Sequence, residues 1–262
     1  MTRFAKKAST VEGASSPLSR STLCTEVFMN AKNNALTQDQ IMNLLDKLYS
    51  QAIDGIPKVS LPIEDMANDY LQKYPRVKEA AKACIRYQIA KCTTSGFLAG
   101  LGGLIVLPVA VPANIGSVMY VQIRMIACIA YMGGYDVNCD QVQTLVYACL
   151  AGVAVDNVIK KVGIGFGNKF AMAMVKKIPG EVLMKINQKV GFRFITKLGS
   201  KGLINIGKAV PVVGGIIGGG FDFAETKVIA DRAYKMFILN DFRASSEEGT
   251  IEIADAETDE NE

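Results

Sequence analysis

The amino-acid sequence predicts an all-α protein, a multi-helix bundle built around glycine-rich apolar helical hairpins. Apolar residues recur at helical spacing along most of the chain, and no stretch of useful length alternates apolar and polar residues as a half-buried strand does. Two stretches, 92–123 and 209–221, carry no charged residue. Stretches this apolar require burial in a protein core or in lipid.

Charge and composition divide the 262 residues into three parts. Residues 1–36 are basic and rich in serine, and they lack the continuous apolar core of a secretory signal, so we predict a disordered leader. Residues 37–242 are predicted to form a single α-helical domain. The tail, 243–262, contains eight acidic residues and no basic residue after Arg243, and like charges at this density predict disorder.

Three amphipathic helices are predicted before the first uncharged stretch. Thr37 and Gln40 have the spacing of a capping box, so a helix should begin there, and Gly55 should end it. Apolar spacing predicts further helices near 63–73 and 76–91. The apolar faces of these helices can cover the uncharged hairpin.

We interpret the first uncharged stretch as two helices folded back on one another. The first, about 94–107, has small residues at the spacing that allows two helix backbones to approach closely. Prolines separate it from the second, which should run from 112 or 113 to 131. The residues assigned to hairpin packing or insertion, two of them from the later glycine-rich stretch, are Gly96, Gly100, Gly103, Pro108, Pro112, Gly214 and Gly218.

Further helices are predicted in the second half of the chain. Apolar spacing places them at about 141–155, 169–177, 181–198 and 223–239. We expect Gly199 and Gly202 to close the third of these.

The predicted helix 181–198 carries a row of basic residues. The surrounding segment, 157–208, contains eleven basic residues and a single acidic residue, Glu181. A basic amphipathic helix beside apolar hairpins has the charge and the apolar area that attachment to an anionic membrane requires. The alternatives are a solvated basic face, pairing with the acidic tail, and nucleic acid, for which no recognised motif is present. The membrane- and lipid-binding candidates lie four residues apart: Lys185, Lys189, Arg193, Lys197 and Lys201.

The residue inventory argues against an enzyme. The chain has no histidine, which removes the commonest general base and metal ligand, and four acidic residues lie between 92 and 221. We therefore expect no catalytic residue, no metal and no cofactor. The six cysteines include no C-x-x-C pair and lie mostly in apolar stretches, so we expect buried free thiols in a reducing compartment.

One charged residue lies within an apolar, helix-length stretch. Arg124 shares a polar stripe with Tyr120 on the predicted second hairpin helix, and a buried arginine is expected to need a partner. An ion pair with Asp156, Asp222 or Glu225 is one interpretation, and contact with the polar end of a ligand is the other. The buried polar or ligand-contact candidates are Arg124, Tyr120, Asp156 and Asp222.

The chain resembles the EcsC protein family. The resemblance rests on TSGFLAGLGGLIVLPVAVPANIGSVMYVQIRMIACIAYMGGYD, on LVYACLAGVAVDNVIKKVGI and on KAVPVVGGIIGGGFD, which stand here in the order and spacing of that family. It covers roughly residues 60–238. The resemblance implies a helical, membrane-associated, bacterial-type domain and transfers no active site. The family takes its name from a bacterial operon that also encodes an ABC transporter.

The sequence thus predicts a non-enzymatic, membrane-associated helical protein at the cytoplasmic, inner face of the membrane, either peripheral or partly inserted. An accessory role in transport or envelope processes is expected, with a membrane protein complex as a second candidate partner and no specific nucleic acid. The alternative is a soluble domain that binds a lipid-like or other apolar ligand in its core. A pore-forming effector is a further alternative.

Overall fold

The computed structural model describes residues 37–93, 113–156, 171–206 and 214–242, with side chains described for 37–92, 116–156, 172–196 and 224–242. Within these ranges the chain forms helices joined by turns, with one isolated β-bridge between Ile56 and Ser60 and no strand. The all-α prediction is confirmed for this part of the chain. The helices are α1 (Gln38–Asp54), α2 (Ile63–Lys73), α3 (Val77–Thr93), α4 (Ala113–Met132), α5 (Asp140–Ala151), α6 (Ala171–Val175), α7 (Gly180–Ile206) and α8 (Gly214–Phe237).

Helix α4 forms the centre of the bundle. Every side chain described between 116 and 130 is buried, because α1, α2, α3, α5 and α8 all pack against this helix. A helix surrounded in this way is expected to be apolar all round, and Arg124 is the single charged residue that α4 carries. The second helix of the predicted hairpin is therefore confirmed, and its surroundings include the three amphipathic helices that were expected to cover it.

Helix α1 begins and ends at the residues that the sequence predicts. Thr37 Oγ1 accepts from the Gln40 N–H at 3.2 Å, and Gln40 Oε1 accepts from the Thr37 N–H at 2.9 Å, which completes the predicted capping box. Gly55 ends α1 with a φ of +78°. A Cβ at this position would also lie 2.5 Å from the Ser60 carbonyl oxygen, so both conformation and space require glycine.

Two helices are longer than the sequence predicted. The helix expected over 181–198 is α7, which runs from Gly180 to Ile206, so Gly199 and Gly202 lie inside it rather than at its end. The helix expected over 223–239 is α8, which already begins at Gly214 and includes Gly218. Glycine lowers helix stability by only about 1 kcal/mol per residue, so isolated glycines do not by themselves end a helix.

Two helices end earlier than predicted. Helix α5 ends at Ala151 because Gly152 adopts a left-handed conformation, with a φ of +69°, and its N–H caps the carbonyls of Ala148 and Cys149. The sequence predicts that this helix continues to 155. Helix α6 covers Ala171–Val175, and a turn follows it at 176–177, where the sequence predicts the last two residues of a helix over 169–177. Residues 169 and 170 lie outside the described set.

Part of the predicted hairpins lies outside the described residues. This applies to the whole first helix of the central hairpin and to Gly96, Gly100, Gly103, Pro108 and Pro112. Across the four described ranges, no helix combines the length and the apolar character needed to cross a bilayer. Insertion of the hairpins into lipid and the boundaries of the leader and the tail stay predictions.

The described cysteines are free thiols. Cys84, Cys92, Cys128 and Cys149 are buried, and Cys139 is half-buried, which confirms the expected burial of most of these side chains. Burial raises the pKa of the Cys149 thiol to about 12, so this group stays protonated at neutral pH and behaves as a small apolar side chain.

Candidate functional site

Helix α7 is held to the bundle by one side. Its buried side chains are Leu183, Ile186, Val190 and Phe194, and the helix packs against α1 and α5. These positions recur at helical spacing, so they fix which way the remaining side chains point. The opposite side of α7 is turned away from the bundle.

The outward side of α7 presents two adjacent rows of side chains. The basic residues Lys185, Lys189 and Arg193 are all exposed and stand one helical turn apart along one row. The neighbouring row contains Met184 and Phe192, whose exposed fractions are 59 % and 70 %. We call these five residues the basic-apolar face.

The exposure of Phe192 is the unusual feature of this face. Large aromatic side chains contribute most of their stabilisation when they leave water, and here the ring of a helical residue is exposed to solvent. Lys185 lies seven residues before it, about two helical turns, so the ring and the ammonium group project from nearly the same side of α7. An apolar group surrounded by cations is typical of a surface that meets an amphipathic partner.

Among the described residues, the basic side chains of this face have no partner. No side-chain hydrogen bond or ion pair involves Lys185, Lys189 or Arg193 there, whereas the side chain of Lys176, just before α7, binds Asp136 at 3.0 Å. The Lys176 ammonium group holds the pKa of the Asp136 carboxyl below its ordinary value. Lys197 and Lys201 occupy the next positions of the basic row in α7, and their side chains lie outside the described set.

Helix α3 offers a useful contrast. It carries a row of the same composition and spacing, Lys78, Lys82 and Arg86, and these residues are also exposed. There, however, Glu79 lies next to the row and forms an ion pair with Arg76. The exposed ring of Tyr87 on this helix already has a cation over its face, since Lys91 Nζ lies 4.6 Å from the ring centroid. A basic row alone therefore does not distinguish the α7 surface, but the uncovered Phe192 does.

The second candidate site surrounds Arg124, which is 5 % exposed. Its Nη1 donates to the Ala52 carbonyl at 2.8 Å, and its Nη2 donates to the Leu61 carbonyl at 2.7 Å and lies 3.2 Å from Met66 Sδ. The last carbonyls of a helix have no partner within that helix and carry partial negative charge. Arg124 therefore caps the C-terminal end of α1 and holds the turn that follows it.

Tyr120 supports the same turn from one helical turn away on α4. Its hydroxyl lies 2.7 Å from Ser60 Oγ and donates to the Gln51 carbonyl at 3.4 Å. The Ser60 hydroxyl in turn accepts from the Ile56 N–H at 3.0 Å. Arg124 and Tyr120 of the predicted polar stripe are both buried, and they bind the backbone at the end of α1 and in the turn that follows it.

The expectation that Arg124 pairs with an acid is wrong for the residues described. Its partners are main-chain carbonyls and a thioether, not Asp156 or Glu225, because the C-terminal end of α1 supplies the negative partial charge that a carboxylate would. Asp156 is half-buried, and the side chain of Asp222 lies outside the described set. A ligand contact by these residues stays a prediction. Among the described residues, no group of acids and cysteines could hold a metal ion.

The basic row of this face follows from the sequence, but its apolar half is seen only in the structure. Of the two phenylalanines in the basic segment, Phe194 is 4 % exposed and Phe192 is 70 % exposed. A signal was present, since Met184 and Phe192 lie eight residues apart and therefore on one side of a helix. Comparison of the chain with models of protein families, with curated proteins and with solved structures finds no match.

Proposed function

We propose that this protein is a non-enzymatic peripheral membrane protein whose basic-apolar face binds the surface of anionic lipids. The observation that supports the proposal is the position of Phe192, uncovered, beside three basic side chains that have no partner within the described ranges. The basic row attracts phosphate and carboxylate headgroups, and the aromatic ring enters the boundary between headgroups and acyl chains. The basic row on α3 lacks such a ring, since Lys91 already lies over the exposed ring of Tyr87.

The expected affinity is modest. Each basic residue near an anionic surface contributes about 1 kcal/mol, and burial of the exposed parts of Phe192 and Met184 adds about 2–3 kcal/mol together. The sum for the five residues is about 5–6 kcal/mol, which corresponds to reversible rather than permanent attachment.

The cytoplasmic, inner face of the membrane is the proposed location, since anionic lipids give that leaflet its negative surface potential. Buried free thiols fit a reducing compartment. The same proposal includes membership of the EcsC family, an accessory role in transport or envelope processes, and a membrane protein complex as a second partner. They are supported by the sequence motifs, one of which forms most of the central helix α4.

Vesicle flotation tests this proposal. The full chain is mixed with vesicles of phosphatidylcholine alone or of phosphatidylcholine with phosphatidylserine, each at low and at high salt. We expect flotation with the anionic vesicles at low salt and a large loss of it at high salt, because salt screens charges at a surface. Equal flotation with both kinds of vesicle, or none with either, would contradict the proposal.

The contribution of the aromatic ring is tested separately. Phe192→Ser leaves the net charge unchanged and should weaken binding to anionic vesicles by about tenfold, the factor that corresponds to 1.4 kcal/mol of lost apolar contact. Leu61→Ser is the matched control, since Leu61 is 55 % exposed and belongs to the turn before α2. An equal effect of the two substitutions would show that Phe192 has no special part in binding.

A further inference from the structure

The C-terminal tail, residues 243–262, complements the basic-apolar face in charge and resembles it in apolar character. It contains no basic residue after Arg243, and Ile251 and Ile253 flank Glu252 within it. A segment of this composition offers carboxylates to the basic row and apolar side chains to Phe192 and Met184. The acidic residues of the tail are Glu247, Glu248, Glu252, Asp255, Glu257, Asp259, Glu260 and Glu262.

Two hydrogen bonds link the end of the described chain with the segment that leads into α7. Close to the last described residue, Asn240 Oδ1 accepts from the Tyr135 hydroxyl at 2.5 Å. Asp136, which follows Tyr135 in the chain, accepts from Lys176 Nζ at 3.0 Å. Lys176 in turn lies four residues before the start of α7 at Gly180. Asn240, two residues before the last described residue, is thus linked through Tyr135, Asp136 and Lys176 to the segment that leads into α7.

The length of the tail is sufficient for it to reach this face. Twenty residues follow Phe242, and a chain of that length spans at most about 65–70 Å when fully extended. The basic row from Lys185 to Arg193 occupies about 12 Å of helix, and its first residue lies about 8 Å along the helix axis from Gly180. Because the tail is tethered, its effective concentration near the face is high, on the order of millimolar for short linkers.

We infer that the acidic tail docks on the basic-apolar face and competes there with anionic lipid. The inference rests on the proposed function of that face, because lipid is the ligand that the tail would displace. Docking of the tail neutralises the basic row and covers Phe192 in the absence of a membrane. A membrane with a high density of anionic lipid displaces the tail, so the full chain should respond to lipid charge more steeply than a permanently open face would.

Zero-length cross-linking with a carbodiimide tests the contact in the full chain, because this reagent joins a lysine amine to a carboxylate only where the two touch. We expect cross-links from tail carboxylates to Lys185 and Lys189, and their loss at high salt. Lys78 and Lys82 are the internal controls, since they are exposed and equally spaced on α3. Absence of tail cross-links, or equal yields on the control lysines, would overturn the inference.

The same reaction with vesicles present tests the competition. Vesicles containing phosphatidylserine should remove most of the cross-links at Lys185 and Lys189, and vesicles of phosphatidylcholine alone should leave them. Cross-links that persist on protein that has floated with anionic vesicles would overturn the competition while the proposed function stands. Cross-links found together with no flotation on any vesicle would instead contradict the proposed function and leave the tail contact intact.

Discussion

Replacement of Arg124 by methionine is the perturbation with the clearest expected effect on stability. Methionine has a similar length and an apolar side chain, so it can fill most of the space beside Met66 without a charge. It removes the donors that reach the Ala52 and Leu61 carbonyls at 2.8 and 2.7 Å. The turn between α1 and α2 then loses its main attachment to α4.

The magnitude follows from the surroundings of the two carbonyls. The Ala52 carbonyl is buried, and a buried acceptor without a partner costs about 1–3 kcal/mol. The Leu61 carbonyl is only partly buried, so water can replace part of its bond. Removal of a buried charge returns some desolvation energy. We therefore expect a net loss of about 2–3 kcal/mol, or a decrease in Tm of about 5–10 °C for a chain of this size.

Urea and thermal unfolding followed by circular dichroism measure this loss, and hydrogen exchange locates it. The amides of Ile56, Val59 and Ser60 form the hydrogen bonds of the turn, so they should exchange faster in Arg124→Met than in the wild type. Tyr120→Phe is the milder companion, with an expected loss of about 1 kcal/mol. Unchanged unfolding, with unchanged exchange in the turn, would refute the assignment of Arg124 as the cap of α1.

Two further predictions concern close packing and alkaline pH. Gly133→Ala should destabilise the protein by about 1–3 kcal/mol, since a Cβ at this position would lie 2.2 Å from the Phe237 carbonyl oxygen. Gly180→Ala is the control, because no atom lies within 4 Å of the added Cβ. Equal urea midpoints for the two variants would contradict the clash. Burial raises the pKa of the Cys149 thiol above its ordinary value of about 9 and, most strongly among the tyrosines, raises the pKa of four phenols above about 10. The unfolded chain therefore releases these protons first, and the free energy of unfolding should fall as the pH rises above about 9. Urea titrations at increasing pH measure this decrease. Ionisation of all nine tyrosines near pH 10 in the folded protein, seen as the full tyrosinate absorbance, would contradict it. The four phenols are those of Tyr49, Tyr70, Tyr135 and Tyr147.

The helices could be predicted where the sequence contains a decisive local signal. The capping box at Thr37, the left-handed Gly55 and the uncharged run that becomes α4 all act within a few residues, so their consequences are visible without the fold. The predicted ends of α5, α7 and α8 differ more from those in the structure. Glycine permits both a helix interior and a helix end, and the choice depends on tertiary contacts that a sequence does not display.

The partners of Arg124 and the exposure of Phe192 required the structure. Arg124 binds main-chain carbonyls at the end of α1 and in the turn that follows it, and every residue type has such a carbonyl, so no side-chain pattern could indicate these partners. Phe192 and Phe194 both lie in the basic segment, and their separation into exposed and buried rings depends on how α7 is rotated against α1 and α5. The basic row itself could be predicted, because it needs only helical spacing.

Vesicle binding by two variants of equal net charge tests the central claim most directly. One variant carries Lys185→Gln, Lys189→Gln and Arg193→Gln on α7, and the other carries Lys78→Gln, Lys82→Gln and Arg86→Gln on α3, where the row has the same composition and spacing. If the basic-apolar face binds anionic lipid, the α7 variant should lose about 3 kcal/mol of binding, more than a hundredfold in affinity, and the α3 variant should stay close to the wild type. Equal losses in the two variants would show that net charge, and not this face, directs the protein to anionic membranes.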